Sequence, residues 1–349
     1  MQFHLKVKLQ FFLVEKEIIF LKPFISKLIN RIDFEKYFCL AKYILYLKKQ
    51  FLKLYNFPIF KFTPMKFYPI ETGNFKLDGG AMFGVVPKTI WSKTNPADQN
   101  NLIDIAARCL LIEDGKRLIL IDTGMGIKQS DKFFGYYSLW GNHSLDHSLS
   151  EKGFHRDDIT DVFMTHLHFD HCGGSINWNK DKTGYEVAFK NAKFWTNENH
   201  WQWATKPNIR EKASFLSENI LPMQESGQLH FIENTNAFFA HASQINFGIF
   251  YVNGHTEKMM LPKLQHQDKT IVFCADLIPT AGHLPLPYVM GYDTRPLLTM
   301  PEKTLFLNEA AENNYYLFLE HDAHNQIITV EKTEKGIRLK EVFTCEEIF

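Results

Sequence analysis

The sequence predicts a layered α/β domain whose strands deliver polar residues to one open edge. Two observations carry that prediction. From Met65 onward, short apolar runs alternate with turn signals and helical stretches. Four of these runs end on histidine or aspartate. "DVFMT" (161–165) leads into "HLHFDH", and "INFGIFYVNG" (245–254) stops just before His255. "KTIVFCAD" (269–276) closes on Asp276, and "YYLFLEHD" (315–322) carries His321. Loops that follow strands can hold polar groups rigidly in a solvent-open cleft. "RCLLIEDGKRLILID" (108–122) reads as a hairpin around Glu113-Asp114-Gly115, its second strand ending at Asp122-Thr123-Gly124. No internal repeat or low-complexity tract follows residue 64.

At 349 residues, with 45% hydrophobic and 22% charged side chains, the chain has the composition of a soluble globular protein of one large domain or two ordinary ones. Its 39 basic and 39 acidic residues cancel, but unevenly. Residues 1–64 hold twelve basic and four acidic side chains, leaving 27 and 35 for the remainder, so the two parts carry about +8 and −8. The first part also holds 11 of the 32 phenylalanines and none of the 19 glycines. This shift sets a boundary between a basic, Phe-rich N-terminal extension (1–64) and a domain over 65–349. In "FFLVEKEIIFLKPFISKLI" charges interrupt the apolar stretches, leaving them shorter than a signal core of about 7–15 residues or a span of about 18. The extension reads as a basic amphipathic helix for a membrane surface or partner, as a loosely attached segment, or as upstream sequence translated from a misplaced start. "MKFYPIETGNF" (65–75) reads like the opening of a domain, which favours the last and argues against membrane contact. Five cysteines, at 39, 109, 172, 274 and 345, form no CxxC pair or short-spaced framework, as suits a reducing, cytoplasmic setting.

The chemistry concentrates in "THLHFDHCGG" (165–174), which holds His166, His168, Asp170 and His171. Neutral imidazoles and a carboxylate suit Zn²⁺ and related divalent ions. Alternate residues of an extended loop face one point while the last faces another, so this segment can serve two adjacent ions. A surface histidine cluster or a helix cap is the bland alternative. The position directly after a buried strand, and Gly173-Gly174 suited to a tight turn into a helix, speak against it.

With "LIDTG" (120–124) upstream, and His255, Asp276 and His321 downstream at successive separations of 84, 21 and 45, the motif resembles that of the metallo-β-lactamase-fold hydrolase superfamily. The likeness covers roughly residues 68–345 and implies an αββα sandwich with metals at one edge between its two sheets. It implies two divalent ions, zinc first among them. His166, His168 and His255 would hold one, and Asp170, His171 and His321 the other. Asp276 would bridge both, and Asp122 would support the metal loop without being a ligand. Ions about 3.5–4 Å apart share a hydroxide that attacks the substrate. The two aspartates with catalytic roles are then Asp276 at the bridge and Asp170, which could pass a proton to the leaving group.

Within the superfamily, several branches fit less well. Redox di-iron relatives place Glu where this chain has His168. True β-lactamases are exported and lack the bridging Asp. RNA-processing relatives need a basic face, whereas this domain is net acidic, so no nucleic-acid partner is expected. Glyoxalase-II-like enzymes append a helical domain, and 28 residues follow His321. What remains resembles the N-acyl-homoserine-lactone lactonases (quorum-quenching enzymes) and their organophosphate-hydrolase neighbours. "GGAMFGVVPKTIW" (79–91) and "CADLIPTAGHLPLPYV" (274–289) look like the latter branch. The expected function is therefore hydrolysis of a small lactone or ester, with phosphotriester or aryl-ester hydrolysis as the alternative. A mononuclear iron dioxygenase or an inactive binding scaffold on the same fold ranks below both. One departure stands out. Many lactonases carry a Tyr three residues after the bridging Asp, where this chain has Pro279, so His283 or Tyr288 become candidates to polarise the substrate, against ordinary loop packing. "FFGYYSLWGNH" (133–143) and "FWTNENHWQW" (194–203), with Met82 and Phe83, suggest an apolar acyl-chain wall in which Trp140 and Trp201 take part. Packing over the sandwich, or a subunit contact in a homodimer, explains the same stretches equally well. The remaining histidines, His200 among them, lack a motif partner and read as surface or core residues.

Overall fold

The computed structural model describes residues 65–349; the expectations for 1–64, membrane contact included, lie outside the described residues. The first half of the described chain gives β1 (Lys66–Asp78), β2 (Leu102–Asp114), β3 (Arg117–Ile121) and β4 (Asp161–Phe163). A small ribbon of β5 (Ile176–Trp178) and β6 (Tyr185–Val187) follows, then β7 (Lys193–Asn197) and β8 (Leu229–Ile232). Six of these form a sheet in the order β1-β2-β3-β4-β7-β8, antiparallel from β1 to β3 and parallel from β3 to β8. The second half gives β9 (Phe239–Ala242), β10 (Phe247–Val252), β11 (Met259–His266), β12 (Lys269–Phe273), β13 (Tyr316–Phe318), β14 (Ile327–Thr333) and β15 (Gly336–Phe343). These line up consecutively in a second sheet. Its one parallel pair, β12 with β13, is joined through the long helix Pro296–Glu312, as a parallel crossover requires. The expected hairpin is β2–β3, with Asp114 opposite Arg117 and Gly115 taking a positive φ of 63° in the turn between them.

Side-chain alternation sorts these strands into layers. In β3, Ile119 and Ile121 join Phe163, Phe247, Phe273 and Phe318 in the core between the sheets, while Leu120 faces the other way. Leu120, Leu111 and Val162 pack under Leu149, Trp201, Ile220 and Met223 from the helices Leu145–Glu151, Glu198–Thr205 and Ser217–Glu225. On the opposite side, Phe306, Leu307 and Ala310 of the long helix join the second sheet. The architecture is helix, sheet, sheet, helix: the αββα sandwich. Each fully buried Ile or Phe in it contributes roughly 1.5–3 kcal/mol. β4 is three residues long and buried throughout between β3 and β7: Val162 and Phe163 enter opposite cores, and Asp161 is held by Arg117 and Trp195. Among the described residues, no helix is long and apolar enough to cross a membrane.

Two devices order the edge where β4, β10, β12 and β13 end, the first by tying one sheet to the other and the second by seating the loop after β4 on the loop after β3. Arg108 of β2 is buried, pairs with Glu71 at 2.6 Å and donates to the carbonyls of Leu319 and Asp322 at 2.8 and 3.0 Å, just beyond β13. The second device is the glycine pair after the histidine motif. Gly173 has ordinary helical dihedrals, φ −60° and ψ −35°, so turn geometry does not explain it. A Cβ there would stand 2.1 Å from the Met125 carbonyl oxygen, and one on Gly174 would stand 2.2 Å from that of Thr123. The glycines are needed because two backbones touch. Gly174→Ala should therefore cost about 1–3 kcal/mol through overpacking and lower the thermal midpoint; an unchanged melt would show that the two segments can part freely.

Candidate metal centre

The histidine motif begins where β4 ends, and a buried carboxylate holds it there. Asp122, fully buried with φ 57° just after β3, accepts from Thr165 N at 2.8 Å and Thr165 Oγ1 at 2.6 Å. Its Oδ2 also lies 3.1 Å from His171 Nδ1. His166 and His168 lie on the extended loop between, and Asp170 and His171 on the short helix Phe169–Cys172. His255 follows β10, Asp276 sits in a 3₁₀ turn after β12 beside Ala275 at a strained φ of 42°, and His321 follows β13. All seven predicted ligand positions converge in space.

They do so as two groups. His166, His168, His255 and Asp276 place one ligand atom each within 4.8 Å of one another, and so do Asp170, His171 and His321. Asp276 faces both groups with different oxygens. Its Oδ2 lies 3.1 Å from His255 Nε2, and its Oδ1 lies 3.1 Å from His321 Nε2 and 3.5 Å from His171 Nε2. Ring nitrogens also approach each other: His166 Nε2 and His168 Nδ1 at 3.1 Å, His255 Nε2 and His168 Nδ1 at 3.2 Å, His171 Nε2 and His321 Nε2 at 3.1 Å. Nitrogens sharing a tetrahedral ion at bonds of about 2.0–2.1 Å lie roughly 3.3 Å apart.

The outward ring nitrogens fix which atom faces inward. His255 Nδ1 meets Asp293 Oδ1 at 2.9 Å, His321 Nδ1 donates to the Ala106 carbonyl at 2.8 Å, and His166 Nδ1 meets Thr165 Oγ1 at 3.1 Å. With His171 on Asp122, four imidazoles thus present Nε2; His168 alone presents Nδ1. Burial, and then the neighbouring imidazoles, hold His166 well below its ordinary pKa, and burial also lowers His168, so both keep lone pairs. For Asp276 burial opposes ionisation, but His321, His171 and His255 outweigh it and hold the carboxyl well below its usual range. Burial likewise opposes protonation of His321, yet Asp276 and Glu320 carry it up to about 9. Protons on such groups occupy the place of cation charge and are released when a metal binds. Buried Asp276 Oδ1, which faces the centre, has no hydrogen-bond partner among the described residues. Donor chemistry, spacing and this orphaned oxygen fit a dinuclear metal centre.

The centre opens into a cavity of about 330 Å³ lined by Leu77, Met82, Tyr137, Phe169, Met290 and Tyr292, with Arg210 and Glu211 beside them. Of the expected substrate residues, only Met82 reaches it. Phe83 is fully buried, stacked between Trp91 at 5.3 Å and His283 at 4.3 Å. His283 is spent on structure: Nε2 donates to the Met82 carbonyl, Nδ1 meets Thr280 Oγ1 at 2.8 Å, and burial pushes its pKa down to about 4. Tyr288 edges Phe83 at 6.3 Å, behind Met82. Trp140 lies at the surface with Nε1 on the Phe75 carbonyl, and Trp201 is buried in the helix-side core near Phe231. Both tryptophans pack over the sandwich, and the aromatic stretch 133–143 enters the wall through Tyr137. Sequence reasoning missed Asp293, Tyr292, Glu211 and Arg210, none of which sits in a spacing pattern. It also gave His200 no specific task, yet its Nε2 accepts from Leu167 N at 2.8 Å and holds the motif loop from behind.

A family model described as "Metallo-beta-lactamase superfamily" matches residues 104–326. The chain belongs to that superfamily. A curated relative, an N-acyl homoserine lactonase of Bacillus thuringiensis, is 24% identical over 147 residues, 38% of this chain and 54% of the relative. The chain thus spans about half the length of the curated relatives it matches. Among solved structures, a probable metal-dependent hydrolase from Staphylococcus aureus is similar with TM-score 0.69 and 25% identity, over 81% of this chain and 100% of that one. AidC, a dizinc quorum-quenching lactonase in complex with a product, shares the fold with TM-score 0.63 and 20% identity, over 80% of this chain and 95% of that one.

Asp276 is the natural place to test the pairing. Asp276→Ala should reduce bound metal and lower any metal-dependent activity by at least about 100-fold, the upper scale for disturbed metal sites, with the fold retained by circular dichroism. Two ions and normal rates in that variant would dissolve the dinuclear assignment.

Proposed function

We propose that residues 65–349 form a dinuclear, zinc-dependent hydrolase that opens lactone rings of the N-acyl-homoserine type, and so acts in quorum quenching. The observation that carries this reading is Asp276, whose two oxygens face separate donor groups beside a small cavity with both polar and apolar walls. The named activity of the curated relatives points the same way. His166, His168 and His255 would hold one ion, Asp170, His171 and His321 the other, and Asp276 both; histidine-rich, four-coordinate donor sets favour zinc. When bound, such a pair supplies an acidified water at neutral pH and electrophilic stabilisation of a carbonyl oxygen.

The chain's own residues do the rest. Asp170 faces the cavity, where its carboxylate can carry a proton to the departing ring oxygen. Tyr137 and Tyr292 line the same cavity, and burial, then the Asp170 carboxylate, push both phenols up to about 12. They keep their protons at neutral pH and can donate to the acyl carbonyl, a task Pro279 cannot perform. Leu77, Met82, Phe169 and Met290 offer an apolar wall to the acyl chain and exclude water from it.

The deciding experiment is an activity panel on the zinc-loaded chain with acyl-homoserine lactones of increasing length, simple lactones, aryl esters and phosphotriesters. Each buried CH₂ offers up to about 0.8 kcal/mol, roughly fourfold, part of which is lost in ordering the chain. kcat/KM should rise from short to medium acyl chains. Met82→Ala and Met290→Ala should flatten that rise while sparing an unsubstituted lactone. A flat profile with efficient phosphotriester hydrolysis would replace the lactonase reading with the phosphotriesterase one.

A chain starting at Met65 should express, bind metal and turn over like the full chain, because every proposed ligand lies downstream. Loss of most activity with metal still bound would make residues 1–64 part of the working site.

A further inference from the structure

The loop between the helices Glu198–Thr205 and Ser217–Glu225 carries an acidic residue that the superfamily motif does not include. Glu211 is buried, 3% exposed, yet borders the cavity. One of its oxygens is fully engaged: Oε2 accepts from Trp203 Nε1 at 2.7 Å and Asn208 Nδ2 at 2.6 Å. The other, Oε1, has no hydrogen-bond partner among the described residues and lies 3.5 Å from His168 Nε2, which has none either. Two buried orphans aimed at each other just outside hydrogen-bond range form a bond on a shift of a few tenths of an ångström. Phe215 packs at a tilt against the His168 ring, centroids 4.7 Å apart, and the Ser214 carbonyl accepts from Phe169 N at 2.9 Å, so the loop holds the motif at two points.

We propose that Glu211 is a positioning residue for the first ion site: it accepts from His168 Nε2–H, locks that ring with Nδ1 facing inward, and ties metal affinity to the loop that walls the cavity. This rests on the dinuclear reading. His168 is the ring that needs such a lock, since it is the one of the five that presents Nδ1, with Nε2 pointing away from the centre. Carboxylate partners of ligating histidines fix the tautomer and raise ligand basicity, and losing one costs about 10–100-fold in metal affinity. The wall is linked to the same residue, because Arg210 next to it bonds the Gly291 carbonyl across the cavity mouth.

Zn²⁺ affinity of the full chain, measured by competition with a chromophoric chelator together with metal stoichiometry, tests this. The wild type should bind two ions. Glu211→Ala should weaken one of them about 10–100-fold and leave the other unchanged. Glu211→Gln, whose amide oxygen can still accept, should recover part of the loss. Trp203→Phe, which removes a donor that orients Glu211 without touching the centre, should shift the same ion less. If Glu211→Ala misfolds, the last two variants carry the test. Both ions weakening equally, or all variants holding both affinities within about twofold, would overturn the assignment to Glu211. Fewer than two ions on the wild type would overturn the dinuclear reading itself, and the proposal with it.

Discussion

Everything at the open edge of this sandwich hangs on Asp122. Its carboxylate is fully buried and satisfies three groups at once: the Thr165 amide, the Thr165 hydroxyl and His171 Nδ1. These contacts fix where the histidine loop departs from β4 and which way the helix Phe169–Cys172 points. A buried carboxylate has few acceptable partners, so its hydrogen bonds leave little choice of register between β3 and β4. The Gly173–Gly174 contact with Thr123–Met125 closes the same loop from its other end.

Around this anchor, several of the candidate ligands have an outward support of their own. His255 leans on Asp293, His321 on the Ala106 carbonyl, and the motif backbone on His200 at Leu167. With Asp122, the supports come from four separate stretches of chain. The centre is therefore held to the geometry of both sheets, and its imidazoles cannot turn to relieve their mutual crowding. That crowding is what makes the group receptive to cations: close ring nitrogens and a shared carboxylate are poorly satisfied by protons alone.

The fold and the convergence of the seven candidate donors were legible because each is written in a run of neighbouring residues. β4, β10, β12 and β13 announce themselves as apolar runs, and His255, Asp276 and His321 stand at their ends. The cavity wall was not legible. Tyr137, Phe169, Met290 and Tyr292 meet only after the two sheets pack, and nothing in their spacing marks them. Aromatic density was a poor guide, because Phe83 and Trp201 serve packing, as large rings usually do, and Trp140 lies at the surface. His283 failed as a substrate group for a plain reason: both of its nitrogens are already committed to Thr280 and the Met82 carbonyl. Gly173 was foreseen as a turn residue and proved to be a point of backbone contact.

The seven donors are divided between the sheets: four follow β4 in the first, and three follow β10, β12 and β13 in the second. A pair of ions held there would act as a reversible cross-link between two halves far apart in the chain, with the entropic leverage that long closed loops confer. The division also sets an order of events during biosynthesis. No complete site exists until His321 has left the ribosome and β13 has paired with β12. Ion capture would then be the closing step of assembly, and a loaded centre would report that both sheets have met in register.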